Sequence, residues 1–454
     1  MKRLPTSILS LLVLALCVGP SPAEESSQGR VIESMAGVLP HRERIEPVNR
    51  MLRDRLDNLL PGLMRETGID LWLVINREYA EDPVYLTLVP EPVFAARRTT
   101  MLVFHDRGEN EGVERLTVSR YDLGDFYDSA WDGGSQDEQW QRLAQVISER
   151  NPKRIGINIS RDWAFGDGLS AGLHQRLTAA LGKELSKRVT SAEELCVRWL
   201  ETRSETELAA YPHIVSLARR VIGEAFSNAV ITPGVTTTSD VYWYIRQRFE
   251  DLKLRPWFQP YVNVQRRGTI FEMDEPFYGE AQEIILPGDV LHTDVGICYL
   301  RLCTDTQEMG YVLRLGEERV PDGLVNALAV GNRWQDLLTD QFVAGRTGNE
   351  ILAAAQETTQ AGSIVDSIYT HPIGFHGHAA GPTVGMWDNQ GPTPVRGDWK
   401  LFPNTAYAIE GNVKVQVPEW EGQWVQIKLE QSAVFDGRKV YYLAGRQTEW
   451  HVVR

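Results

Sequence analysis

Two aspartates inside one apolar stretch constrain this chain more than any other feature. From Gly288 to Thr306 it reads Gly-Asp-Val-Leu-His-Thr-Asp-Val-Gly-Ile-Cys-Tyr-Leu-Arg-Leu-Cys-Thr-Asp-Thr. The apolar and β-branched residues, with Pro287-Gly288 before them and Gly296 within, predict two short strands joined by a tight connection. Asp294 and Asp305 then fall on neighbouring strands. A carboxylate in an apolar strand is costly to bury unless it is paired or holds a metal. The pair therefore reads either as two ligands of a shared cation or as a turn Asp and a rim Asp.

Residues downstream decide between these. His371-Pro-Ile-Gly-Phe-His376-Gly-His378 gathers three of the nine histidines into eight residues of a Gly-rich stretch. Glu410 and Glu430 each stand alone in a strand-like apolar run, and strand alternation sets Glu430 on the face of Gln426 and Lys428, opposite Ile427 and Leu429. Two Asp, one His and two Glu form a hard, oxygen-rich donor set. It suits a pair of Mn, Zn, Co or Fe ions bridged by carboxylates, whereas a structural zinc favours thiolates.

The order and context of these five residues resemble the methionine aminopeptidase, prolidase and aminopeptidase P superfamily, the pita-bread metallopeptidases. Asp294-Val-Gly296 with Asp305 eleven residues after Asp294 matches its Asp-x-Gly pattern and second Asp. His371-Pro-Ile-Gly374 matches its His-x-x-Gly, with His378 in the place of a catalytic His seven residues on. Glu410-Gly411-Asn412 stands for a Glu-Pro-Gly strand end, with Gly in place of Pro. Ile427-Lys428-Leu429-Glu430 stands for Ile-Arg-x-Glu, with Lys in place of Arg.

The resemblance implies two divalent ions, manganese foremost and zinc or cobalt otherwise. Asp305 and Glu430 would bridge them, Asp294 would serve mainly one, and His371 and Glu410 the other. Such a pair acidifies a bridging water and clamps the oxyanion developing at a scissile amide. Glu410 would also shuttle the proton from water to leaving amine, and His378 would donate to the carbonyl oxygen from outside the ligand set. A competing reading makes His376 and His378 a chelating pair, and the His-x-x-Gly register argues against it. Further departures from the family are Phe277 where an upstream His is usual and Thr306-Gln307 where Thr-Arg is usual. Together with Lys428 they leave metal binding intact and bear on leaving-group handling and substrate preference.

In chain order, Lys2-Arg3, an apolar run over residues 8–18 and Ser21-Pro-Ala23 form a secretory leader, with residues 1–23 removed on export. The run is too short to span a bilayer. Leu14-Ala-Leu-Cys17 is like a lipoprotein box, but Leu16 is larger than such boxes allow. Loss of Lys2 and Arg3 takes the formal net charge from −14 to −16, which argues against nucleic-acid or anionic-membrane partners. The remaining cysteines, Cys196, Cys298 and Cys303, are too few and too uneven for a disulfide framework, although an export compartment permits one bond; Cys298 and Cys303 read either as bonded or as small buried residues, with the second reading favoured.

Residues 24–203 alternate predicted strands (69–76, 99–104, 114–119, 154–160) with helical periodicity over 49–66 and at Trp140, Leu143, Val146 and Ile147, an α/β pattern. It contains no Gly-rich nucleotide loop, and its place and length resemble the creatinase-like N-terminal domain. Ser204-Glu-Thr-Glu207 is a capping box that opens a second domain, 204–454, expected to be an α+β pita-bread unit. Its first helix is expected to be interrupted at Pro212 and to run on to Ala229. The function implied is an exported peptidase, periplasmic or secreted and homodimeric, that acts on peptide substrates next to proline as an Xaa-Pro aminopeptidase or dipeptidase. The alternatives are a creatinase-like amide or C–N hydrolase and a binding protein with impaired catalysis.

Overall fold

A computed structural model of the 454-residue chain describes residues 37–269 and 282–454. The leader and Cys17 lie outside these residues, as does Phe277. Residues 40–454 form one compact unit built around two main sheets.

The first sheet is mixed. Its strands run in the order Asp128–Ser129, Val113–Val118, Thr99–Asp106, Leu71–Arg77, Ile155–Ile157, Val189–Ser191. Alternation along Leu71–Arg77 explains its central place. Leu71, Leu73 and Ile75 join a core with Leu143, Ile147 and Leu173 of the helices Gln136–Arg150 and Ala171–Ser186. Trp72 and Val74 face Leu63, Met64 and Trp199 on the other side. A strand buried on both faces needs apolar residues at every position, and this one has them through Ile75.

The second sheet has nine strands and carries the candidate ligands. Its main path is Val365–Ile368, Thr405–Val417, Gln423–Phe435, Thr306–Val312, Val290–Val295, Tyr261–Gln265, with every neighbouring pair antiparallel. His371–Ile373 pairs beside Thr405–Val417, and His451–Val453 adds in parallel to Thr306–Val312. In the long hairpin Ile409, Val413, Ile427 and Leu429 are fully buried with Leu324, Leu328, Trp334 and Ile351 of the helices Asp322–Thr339 and Gly348–Ala361. The intervening Glu410, Asn412, Lys414, Gln426, Lys428 and Glu430 face the opposite side, which leaves polar groups free to line a cleft. Among the described residues no helix is long and apolar enough to cross a membrane.

Three expectations are corrected. The helix Glu205–Ala225 continues through Pro212 and ends four residues before Ala229. Its start is fixed by the capping box of Ser204 and Glu207, and Tyr211, Ile214, Leu217, Ala218 and Ile222 are buried along its length. That burial outweighs the roughly 3 kcal/mol an interior proline costs. The connection between the Asp strands is a hairpin of its own, Ile297–Tyr299 with Leu302–Cys303, set in a separate small sheet with Arg255–Pro256.

The third correction is that Cys298 and Cys303 form a disulfide. They are direct cross-strand partners in that hairpin. Leu300 and Arg301 turn it with positive φ at both positions, the geometry of a two-residue turn. Arg301 is held there by Glu91 and by the carbonyls of Leu86 and Val89.

Candidate metal centre

Strand register brings the acids together. Tyr261 pairs with Asp294, Asp294 with Gln307, Gln307 with Glu430, and Glu430 with Glu410. These residues form one row straight across five strands. Asp305 immediately precedes its strand, and His371 opens the short strand that pairs with Ala408. His371 Nε2 lies 3.4 Å from Asp305 Oδ2, 3.7 Å from Glu410 Oε2 and 3.7 Å from Glu430 Oε1.

Like charges directly opposite on adjacent strands are destabilising, and here they are also out of water. Asp305, His371 and Glu430 are no more than 3% exposed. Burial first, and the charge of Glu430 next, push the Asp294 and Glu410 carboxyls well above their usual range. Burial likewise raises Asp305 and Glu430. Burial works against a charged His371, but the carboxylates of Asp305 and Glu430 outweigh it and raise its pKa. Four buried atoms, Asp294 Oδ1, Asp305 Oδ1, His371 Nε2 and Glu430 Oε1, have no hydrogen-bond partner. His371 Nδ1 is 3.0 Å from the Pro372 carbonyl, a contact that keeps one proton on Nδ1 and turns Nε2 toward the carboxylates, where a cation would replace the second proton. Orphaned donors of this chemistry fit divalent ions.

Three overlapping groups of ligand atoms lie within 4.8 Å of one another: Asp294, Asp305 and Glu430; His371, Glu410 and Glu430; and Asp305, His371 and His378. All five expected ligands are thus brought together, with Asp305, His371 and Glu430 each in two groups.

Residues 213–435 match the model of metallopeptidase family M24. The chain carries a family M24 domain. Its overall fold is similar to that of an X-Pro aminopeptidase from Thermotoga maritima, at 18% identity and a TM-score of 0.61, over 86% of this chain and 100% of that one. It is also similar to a dipeptidase from Pyrococcus horikoshii, at 17% identity and 0.57, over 87% and 99%. A third likeness is to an Xaa-Pro dipeptidase from Bacillus anthracis, at 16% identity and 0.56, over 91% and 99%. At these identities the likenesses establish the fold, an α/β N-terminal part followed by a pita-bread unit. No curated protein sequence matches.

Within the M24 domain the three histidines part company. His378 is exposed, its ring centroid 4.6 Å from that of His371 and 4.9 Å from that of Trp257. Its Nε2 is 3.3 Å from the Tyr369 hydroxyl. Partial desolvation, then the positive charges of His371 and Arg396, hold it below the ordinary imidazole range, so it is neutral at neutral pH. His376 turns away to stack on Phe165 at 4.9 Å and joins none of the ligand groups.

Sequence reasoning missed two residues of the M24 site. Gln307 Nε2 donates to Glu410 Oε1 at 2.8 Å and Glu430 Oε2 at 3.0 Å, and its Oε1 lies 2.8 Å from His292 Nε2. His292 is buried and stands two residues before Asp294 on the same strand face, a period-2 signal present in the sequence. Gln307 was singled out only as a departure from the family pattern.

The motif glycines answer to close approach. A Cβ on Gly296 would come 2.1 Å from Trp257 Nε1, and one on Gly411 would come 2.4 Å from the Ser367 carbonyl. A cleft of about 480 Å3 opens beside the acid row, lined also by Tyr261, Tyr369, Trp387 and Lys428.

Proposed function

We propose that this chain is an exported dimetal peptidase that hydrolyses peptide bonds next to proline. The observation that carries the reading is the set of four buried, unpartnered donor atoms on Asp294, Asp305, His371 and Glu430. Asp294, Asp305, His371, Glu410 and Glu430 would hold two divalent ions, manganese foremost, with Asp305 and Glu430 shared. When bound, the ions supply Lewis acidity to the scissile carbonyl and acidify a water.

The chain's own residues do the rest. Glu410, whose carboxyl is raised by its surroundings, accepts the proton of the attacking water and returns it to the amine nitrogen as the C–N bond breaks. His378 donates an N–H to the carbonyl oxygen as charge develops there. Gln307 donates to both Glu410 and Glu430 and fixes the two carboxyls relative to each other. The M24 match and the fold shared with proteins titled Xaa-Pro aminopeptidase and dipeptidase support proline as the residue after the scissile bond. Export through residues 1–23, the division near 203/204 and a homodimer belong to the same reading.

The mature protein, loaded with Mn, Co or Zn, is expected to hold about two ions per chain and to cleave Xaa-Pro peptides faster than Xaa-Ala analogues. Elemental analysis and paired rates test both. Trace metal after loading would remove the enzyme reading, and equal rates would move it to another amide hydrolase on this fold.

A further inference from the structure

The hairpin that carries Glu410 and Glu430 continues past them. On the same face, the next register pair is Asn412 with Lys428, then Lys414 with Gln426, then Gln416 with Trp424. Asn412, Lys414, Gln426 and Lys428 all line the 480 Å3 cleft. A second hollow of about 460 Å3 begins where the first ends and shares Lys414 and Gln426 with it, with Trp424 on its far side. Gln265 lines the second hollow and is fixed to the backbone of the shared Gln426. Its amide donates to the Gln426 carbonyl at 2.7 Å and its oxygen accepts from Gln426 N at 2.8 Å. Lys414 is exposed, and Trp424 is 50% exposed.

Charge fixes how a peptide lies here. The N-terminal ammonium of an exopeptidase substrate is repelled by Lys428 and Lys414 and attracted to the acid row. The segment running along the lysine rows is therefore the part after the scissile bond. Strands rise about 3.3 Å per residue, so the Lys414 row lies roughly 13 Å from the Glu410 row, four residues along the strand. An extended peptide covers ~3.3–3.6 Å per residue, which puts its fourth residue past the scissile bond at Lys414. A dipeptide has a single residue past the scissile bond and stops short even of the Lys428 row, two residues along the strand. On a chain with net charge −14, a local pair of lysines is what makes an acidic peptide welcome.

We propose that Lys414 is a specificity-determining residue that reads an acidic side chain about four residues beyond the scissile bond, so that the substrate class is acidic oligopeptides rather than dipeptides. The proposal rests on the peptidase reading above.

The test uses the amidated peptides Ala-Pro-Ala-Ala-Glu, Ala-Pro-Ala-Ala-Ala and Ala-Pro-Ala-Ala-Lys with the metal-loaded full chain. The expected order of kcat/KM is Glu, then Ala, then Lys, spanning about three- to tenfold and carried by KM. Lys414→Glu should reverse the order with kcat unchanged. Equal rates on all three, or an order that Lys414→Glu leaves as it was, would overturn the proposal while proline peptidase activity stands. If none of the peptides is cleaved, the peptidase reading fails, and calorimetric binding of the same three to the metal-free protein decides the groove. The same order reversed by Lys414→Glu supports it, and equal or absent binding ends it.

Discussion

Glu410 and Glu430 stand directly opposite each other on adjacent antiparallel strands, each 3.7 Å from the same imidazole nitrogen of His371. A sheet gains nothing from such a pair on its own. Gln307, bonded to both, offsets part of the cost in the metal-free protein. Glu430→Gln is expected to raise the stability of metal-free protein by about 1 kcal/mol while lowering its metal capacity. Melting curves with and without chelator check this. A variant that melts lower without metal would mean the two carboxyls do not oppose each other.

Metal uptake should release protons. Burial, joined by mutual repulsion, raises the Asp294, Glu410 and Glu430 carboxyls, so the empty site keeps protons at a pH where exposed acids have none. Cations displace them, and affinity therefore rises with pH through the neutral range. Calorimetry in buffers of different ionisation enthalpy should count about one proton or more per chain. A count of zero would show that the acids are already ionised without metal.

The histidines separate by role. His371→Ala removes a buried donor and should lower metal occupancy. His378→Ala should keep its metal and lose on the order of 10² to 10³ in turnover, the worth of one oxyanion donor. His376→Ala, which loses a stack on Phe165, should be milder than either. Because His378 also lies within reach of Asp305 and His371, metal content measured beside rate is the deciding readout. Metal lost from His378→Ala but kept by His371→Ala would exchange their roles.

Away from the site, Glu201 is fully buried, accepting from Arg198 Nη1 at 2.6 Å and from Trp399 Nε1 at 3.1 Å. Burial outweighs these partners and raises its pKa from 4.5 to about 7. An acid raised in the fold is tolerated fully only when protonated. Its stability is present below the unfolded value and is lost as pH climbs through the folded one, here from about 4.5 to about 7. The loss is on the order of 3 kcal/mol. Urea unfolding at pH 5 and pH 8 should show it in the parent and a flatter slope in Glu201→Gln. Parallel slopes would rule Glu201 out as the cause.

Much of the fold was legible because its signals are local. The helix Gln136–Arg150 has apolar residues at helical spacing and Ser135 as its cap, and the strand Leu71–Arg77 opens on five consecutive apolar residues. Pro212 misled because a local rule, that proline breaks helices, met a helix whose buried face outweighs it. The Cys298–Cys303 bond was illegible for the opposite reason. Spacing alone does not say whether two thiols face each other, and the turn at Leu300 and Arg301 decides that they do.

By itself the sequence determined the donor types, their order and the alternation that sets Glu430 with Lys428 apart from Ile427 and Leu429, since side-chain chemistry and strand period are properties of the chain. Only the tertiary structure decided that Asp294, Gln307, Glu430 and Glu410 share one row, that His376 turns away to Phe165, and that His292 joins Gln307 behind the acids. Register and loop direction arise from contacts between segments that range from 13 residues apart, as for Asp294 and Gln307, to more than two hundred, as for Phe165 and His376. No local pattern encodes those distances, and burial selects among the pairings that the local patterns allow.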